Sequence, residues 1–281
     1  MKVFKKIFVI FLSLIMVFCA SSCKEKISEY PVSFGGAELD IAPLKVISLS
    51  DVSTSVIKLL GYDDRLLQGE FGNAITPNVE TIKASGANLV ITPTAFSTSI
   101  VSDLNSVGVK VASIATPTNY EELKSYYVAL ASLFGGNITG KGVALEIIKD
   151  YEESFKNINA FIGNKEKFSY VLFYEKDYAA SNISFLSNVL NKCNGENLAG
   201  ENILIDANKL QELNPNIIIA PNDLTKDFTN EQLNAVKNKK VLGVDIASFN
   251  NMGEGFMNSI YTILDFVYED FIVNPKEALE E

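Results

Sequence analysis

The sequence has no histidine, no tryptophan and one arginine, Arg65. Without histidine there can be no Ser-His-Asp triad, no Cys-His pair and no His-ligated zinc. General acid–base chemistry near neutral pH would fall to a tuned carboxylate, lysine or tyrosine, so the chain does not read as an enzyme. No metal site and no cofactor is expected. Positive charge is also short: 24 Lys and Arg against 34 Asp and Glu give a formal charge of −10. That argues against nucleic acid and against electrostatic docking on anionic lipid. What remains is ordinary for a folded protein, 47% hydrophobic and 21% charged over 281 residues, enough for one large domain or two lobes with real cores.

The N-terminus reads as an address. Lys2, Lys5 and Lys6 precede an apolar run over residues 7–19 broken only by Ser13, and Ala20-Ser21-Ser22-Cys23 follows. This is the layout of a secretory signal peptide, and the run is short of the roughly 20 residues a membrane-spanning helix needs. Ala20-Ser21-Ser22-Cys23 resembles a bacterial lipobox. The resemblance implies signal cleavage before Cys23, acylation of Cys23 and a stable lipid anchor on the outer face of the cell membrane or in the periplasm. Residues 1–22 are then the signal peptide and 23–43, with Gly35-Gly36, a flexible tether. Cys193 is left without a disulfide partner and reads as a small buried hydrophobe. Loss of the three signal lysines takes the formal charge from −10 to −13.

The fold class reads as α/β. Short β-branched runs at 46–49, 89–92 and 109–114 alternate with helical stretches at 52–60, 79–84, 100–107 and 120–134, several of them ending at glycine. Such alternation predicts mostly parallel sheets. The pattern restarts after residue 164, with strands at 168–174, 216–220 and 240–245 and a final helix over 256–268. Between the halves, Val143, Ile147, Tyr151, Phe155, Ile158 and Ile162 share one face of a long amphipathic helix, about 30 Å in length. Two α/β lobes, 44–140 and 164–281, joined by a single helix over 141–163, are expected. One helix is a stiff hinge, which implies a small closure motion.

Three stretches carry a family resemblance: Lys45-Val46-Ile47-Ser48-Leu49-Ser50 with Leu59-Leu60-Gly61-Tyr62; Pro77-Asn78-Val79-Glu80-Thr81-Ile82 leading to Leu89-Val90-Ile91; and its second-half counterpart over 210–220. Over residues 44–270 the chain resembles the periplasmic binding proteins of ABC importers for iron-siderophores, haem and cobalamin. The resemblance implies a monomer that captures a metal chelate or corrinoid between its lobes and delivers it to a permease and its ATPase. It also implies one docking carboxylate per lobe. Glu80 matches the first, and Asn208 stands where the second is expected, with Glu201 and Glu212 nearby.

Ligands of open α/β sheets sit outside the carboxyl ends of the strands. That rule nominates Ser50, Asp51, Ser53, Glu70, Phe71, Thr94 and Phe96 on the first lobe, and Tyr174, Glu175, Tyr178, Asn222 and Phe249 on the second. With one arginine to grip an anion, a neutral or cationic ligand is favoured, a hydroxamate siderophore or a corrinoid. Haem would have to use tyrosine, Tyr174 or Tyr178, as axial ligand. A ligand sensor or surface adhesin on the same fold, without importer docking, is the runner-up among binding proteins, and an exported carboxylate hydrolase is the alternative from another class. Gly135 to Gly142 nearly spells a phosphate-binding loop, but Gly142 stands where Ser or Thr would hold magnesium.

Overall fold

The computed structural model describes residues 28–271 except 202. The proposed signal peptide and Cys23 lie outside the described residues. Two parallel sheets form the frame. In the first, β3 (Val46–Ser48), β4 (Leu89–Thr92) and β5 (Lys110–Ser113) pair in that order, with Val46 opposite Leu89 and Leu89 opposite Lys110. Every residue of β4 is buried, as expected of a central parallel strand covered on both faces. In the second, β10 (Val241–Val244), β9 (Ile217–Pro221) and β6 (Phe168–Glu175) run parallel. β8 (Gly195–Asn197) extends the sheet in parallel and β7 (Tyr178–Ala179) in antiparallel sense, both beside β6.

The tether expected over 23–43 is shorter than the glycines indicated. β1 (Val32–Phe34) and β2 (Ala37–Leu39) form an antiparallel hairpin whose Val32, Ala37 and Leu39 are buried in the main core. Gly35 supplies the turn at φ 57, and a Cβ there would lie 2.5 Å from the Ser113 carbonyl oxygen, so the hairpin sits directly on the end of β5.

Around the first sheet run α1 (Asp51–Leu59), α2 (Val79–Ala84) and α3 (Thr98–Ser106). Next come α4 (Tyr120–Gly135) and α5 (Lys141–Ile162), joined by a wide helical turn over Gly136–Gly140. By length and composition the run Tyr120–Ile162 could cross a bilayer, but it doubles back. Tyr120 meets Phe155 with ring centroids 4.8 Å apart, Lys124 Nζ lies 3.1 Å from Glu152, and Tyr127 meets Tyr151 at 6.1 Å. These pairs converge on the turn, so α4 and α5 are an antiparallel hairpin. The near-phosphate-loop sequence is that turn. Its Ile138 and Thr139 amides donate to the Glu29 carboxylate at 3.0 and 3.1 Å, and the Thr139 hydroxyl donates to it at 2.6 Å. These hydrogen bonds hold the Glu29 carboxyl below its ordinary range. An internal carboxylate thus takes the donors that a phosphate would need.

α5 reaches both halves. Ala144 and Ile148 near its start and Ile158 and Ile162 near its end are buried in one continuous core, and Phe161 stacks edge-on to Tyr268. Beyond it come α6 (Phe185–Lys192), α7 (Ala207–Leu213), α8 (Asn234–Lys237), α9 (Ile246–Asn250) and α10 (Phe256–Val267). Cys193 is fully buried behind α6, and burial pushes its thiol up to about 12. The one arginine is structural: Arg65 lies 4.9 Å over the Tyr62 ring and donates to the Phe134 carbonyl at 2.8 Å, at the negative end of α4.

Candidate functional site

The segments that leave the carboxyl ends of the two sheets meet each other. Asn188 of α6 donates to the carbonyls of Thr118, past β5, and of Ile183, both at 3.1 Å. Tyr127 donates to the Met252 carbonyl at 2.5 Å, and Gly253 packs so tightly on Ser55 of α1 that a Cβ would lie 2.1 Å from its hydroxyl. Met252 is held in a left-handed conformation at φ 55, which unbranched side chains rarely adopt. The strand ends therefore open toward one another across this seam, with α5 linking the sheets. Tyr127→Phe removes the only side-chain donor to that carbonyl among the described residues and is expected to cost about 1–3 kcal/mol. A thermal melt equal to that of the unsubstituted protein would contradict a structural role for this bond.

The structure sorts the strand-end candidates into two groups. Three are core. Ser53 has no exposed surface and shares a hydrogen bond of 2.6 Å with Tyr126, because on α1 it falls on the same face as Val52, Val56 and Ile57. Phe71 folds beneath Gly69 and is 8% exposed. Phe249 is fully buried and stacks on Phe256. The rest reach solvent. Ser50 is half-buried and caps α1 by accepting from the Ser53 amide. Asp51, Glu70, Thr94, Glu175 and Asn222 are exposed, and Phe96 is half-buried. Tyr174 and Tyr178 are 36% and 45% exposed. Burial raises the Tyr174 phenol above its ordinary range, which disfavours the phenolate that axial haem ligation uses.

Two residues beside the seam were not nominated. Asp245, exposed after β10, caps α9, and its hydrogen bonds with Ser248 hold it below the ordinary carboxylate range. Ile183 is 69% exposed, and its carbonyl is one of the two that Asn188 bonds at the seam; its signal was a lone aliphatic in the polar stretch Ser181-Asn182-Ile183-Ser184. The charge around the strand ends is one-sided. Asp51, Glu70, Glu175, Asp177, Asp223, Asp227 and Asp245 stand against Lys176 and Lys226; Lys176, Asp177, Lys226 and Asp227 among them line a cavity of the second lobe. Among the described residues no group of three or more His, Cys, Asp or Glu is placed to hold a metal ion.

A cavity of about 590 Å³ lies within the second lobe, floored by Phe173, Leu210, Leu224 and Phe228 and rimmed by Lys176 and Asp227. None of the seam candidates lines it.

Glu80 and Asn208 occupy equivalent places. Asn78 caps α2 and Asp206 caps α7, each accepting from the amide three residues on, and Glu80 and Asn208 are the second helical residues. Glu80 is 84% exposed and pairs with Lys83 at 3.3 Å. Glu212, one turn beyond Asn208, pairs with Lys209 at 3.0 Å and is 69% exposed.

Solved structures share this arrangement. The periplasmic vitamin B12 binding protein BtuF of Vibrio cholerae superposes with a TM-score of 0.66 at 14% identity, over 85% of this chain and 99% of that one. The haem binding protein HmuT gives 0.65 at 16%, over 88% and 93%. The iron uptake ABC transporter substrate-binding protein PiuA of Streptococcus pneumoniae gives 0.65 at 15%, over 88% and 99%. The chain has the fold of these periplasmic binding proteins. No protein-family model matches it, and no curated protein matches it.

Proposed function

We propose that the chain is an exported, Cys23-lipidated solute-binding protein of an ABC importer, which captures a metal chelate or corrinoid between its lobes. The observation that carries this reading is the pair of parallel sheets whose carboxyl ends meet across one 22-residue helix, the arrangement shared with the binding proteins for vitamin B12, haem and iron. The ligand is neutral or cationic. Seven strand-end carboxylates against two lysines set a field that repels anionic chelates, and Arg65 is occupied at the end of α4. Tyrosines and Ile183 supply flat apolar contact for a macrocycle or chelate. The work is capture and delivery by a monomer, with no chemistry on the ligand.

Docking uses the exposed starts of α2 and α7. Glu80 pairs with a permease guanidinium; on the second lobe Asn208 supplies a neutral contact and Glu212, one turn on, a carboxylate. In cells, Glu80→Ala combined with Asn208→Ala is expected to lower uptake of radiolabelled cobalamin or ferric hydroxamate while leaving its affinity for the purified protein unchanged. Unchanged uptake removes these positions from docking. Turnover of a chelate or ester by the purified protein, abolished by one strand-end carboxylate substitution, would overturn the transport reading.

A further inference from the structure

Each lobe displays the same short unit in the same register. The first reads Ile75-Thr76-Pro77-Asn78-Val79-Glu80, the second Ile203-Leu204-Ile205-Asp206-Ala207-Asn208. Aligned on the caps Asn78 and Asp206, an isoleucine stands three residues ahead of each. Both are exposed: Ile75 at 87%, Ile203 at 53%, with Leu204 beside it at 62%.

Neither knob hangs on a slack loop. The Asn73 side-chain oxygen accepts from the Ile75 amide at 2.9 Å, the Thr76 amide at 2.8 Å and the Thr76 hydroxyl at 3.1 Å. Gly72, at φ 78, lets the chain close so tightly that a Cβ would lie 2.3 Å from the Thr76 carbonyl oxygen. On the second lobe, Ala179 donates to the Ile203 carbonyl at 2.8 Å and Ile205 to the Asp177 carbonyl at 2.9 Å. That places Leu204 opposite Tyr178, with the two side chains adjacent on one face. A single exposed aliphatic is ordinary; what singles these out is the recurrence of one at the same register on both lobes, fixed in place, so that little ordering entropy is lost when it is covered.

The helix that follows each knob carries an exposed acid, Glu80 at five residues from Ile75 and Glu212 at nine from Ile203. An isoleucine knob repeated twice in one register fits a partner that offers two equivalent apolar sockets. A closed two-fold assembly presents such a pair. We propose that Ile75 and Ile203, with Leu204, are apolar docking knobs that seat in two equivalent sockets on the outward face of a two-fold permease. This rests on the importer reading and adds to it the contacts that hold the complex once charge has steered it together.

Photo-crosslinking in cells tests both layers. The full-length chain would carry benzoylphenylalanine at position 75, 203, 84 or 145, and adducts would be identified by mass spectrometry. Position 84 shares α2 with Glu80, and Leu145 is an exposed control on α5. Adducts with an ABC permease subunit from 75 and 203, and none from 145, support the knobs. A permease adduct from 84 alone overturns the knobs and leaves the docking reading standing. No permease adduct from 75, 203 or 84 overturns both, and adducts with lipid alone from 75 and 203 assign these residues to the bilayer instead. As a second readout, Ile75→Ser with Ile203→Ser is expected to weaken docking about tenfold with the thermal melt unchanged; equal docking overturns the knobs.

Discussion

Gly140→Leu is expected to destabilise the protein by at least about 3 kcal/mol, the range of severe overpacking. For a chain of this size that lowers the melting temperature by at least roughly 5 °C. The cause is space and not conformation. Gly140 is in ordinary helical backbone, φ −61 and ψ −48, but a Cβ there would lie 2.0 Å from the Ala131 carbonyl oxygen. Gly135 across the turn is equally confined, its added Cβ 2.6 Å from the Gly140 Cα. The α4–α5 hairpin closes glycine on glycine, and a side chain must pry it open. Leu130, Phe134, Ala144 and Ile148 then lose registry in the core they share. Gly142 is the internal control: an added Cβ meets nothing within 4 Å, so Gly142→Ala is expected to be neutral or to gain up to about 1 kcal/mol of helix propensity. Circular-dichroism melts of the two variants decide it, and a Gly140→Leu melt that matches the unsubstituted protein would refute this account of the turn.

The second large effect is ligand selectivity. A thermal-shift panel on the chain from residue 24 onward would hold cyanocobalamin, ferric hydroxamates, ferric catecholates, ferric citrate and haem. A true ligand at about 100 times its dissociation constant adds nearly 3 kcal/mol of apparent stability. The stabiliser is expected among the corrinoids and hydroxamates. Ferric citrate and haem bring negative charge to a surface whose nearest cations, Lys176 and Lys226, are outnumbered by carboxylates. Ferric citrate as the strongest stabiliser would show that the strand-end acids do not set selectivity. A panel with no stabiliser would move the search to other small solutes.

Much of the frame was legible in the residues. The face of Val143, Ile147, Tyr151, Phe155, Ile158 and Ile162 predicted a helix over 141–163, and it runs from Lys141 to Ile162. The buried run Leu89–Thr92 predicted a strand, and it is the central one of its sheet. Periodicity reports long elements well because many positions vote. It is weak for the hairpin Val32–Leu39, where each strand has three residues and two glycines read as slack. The glycines at 135–136 predicted that α4 stops, but not that α5 returns along it, which depends on contacts such as Tyr120 on Phe155. The strand-end rule named positions in or near the segments that follow the strands and could not see rotation. Ser53 differs from Asp51 by two residues on one helix, yet Asp51 is exposed and Ser53 is sealed. The structural match of Asn208 to Glu80 was legible because each lies two residues after a side chain that caps its helix, Asn78 and Asp206.

The Glu29 contact to the α4–α5 turn also sets a leash. Six residues separate Cys23 from Glu29, and extended chain covers at most about 3.5 Å per residue, so that span is no longer than roughly 20 Å. If Cys23 is lipidated as proposed, the turn would be confined to a shell of that radius above the lipid. The body could then pivot about this point but not drift away from it. Every encounter with a transporter in the same membrane then becomes a two-dimensional search at a high effective concentration, in which weak docking contacts suffice and release after delivery stays fast.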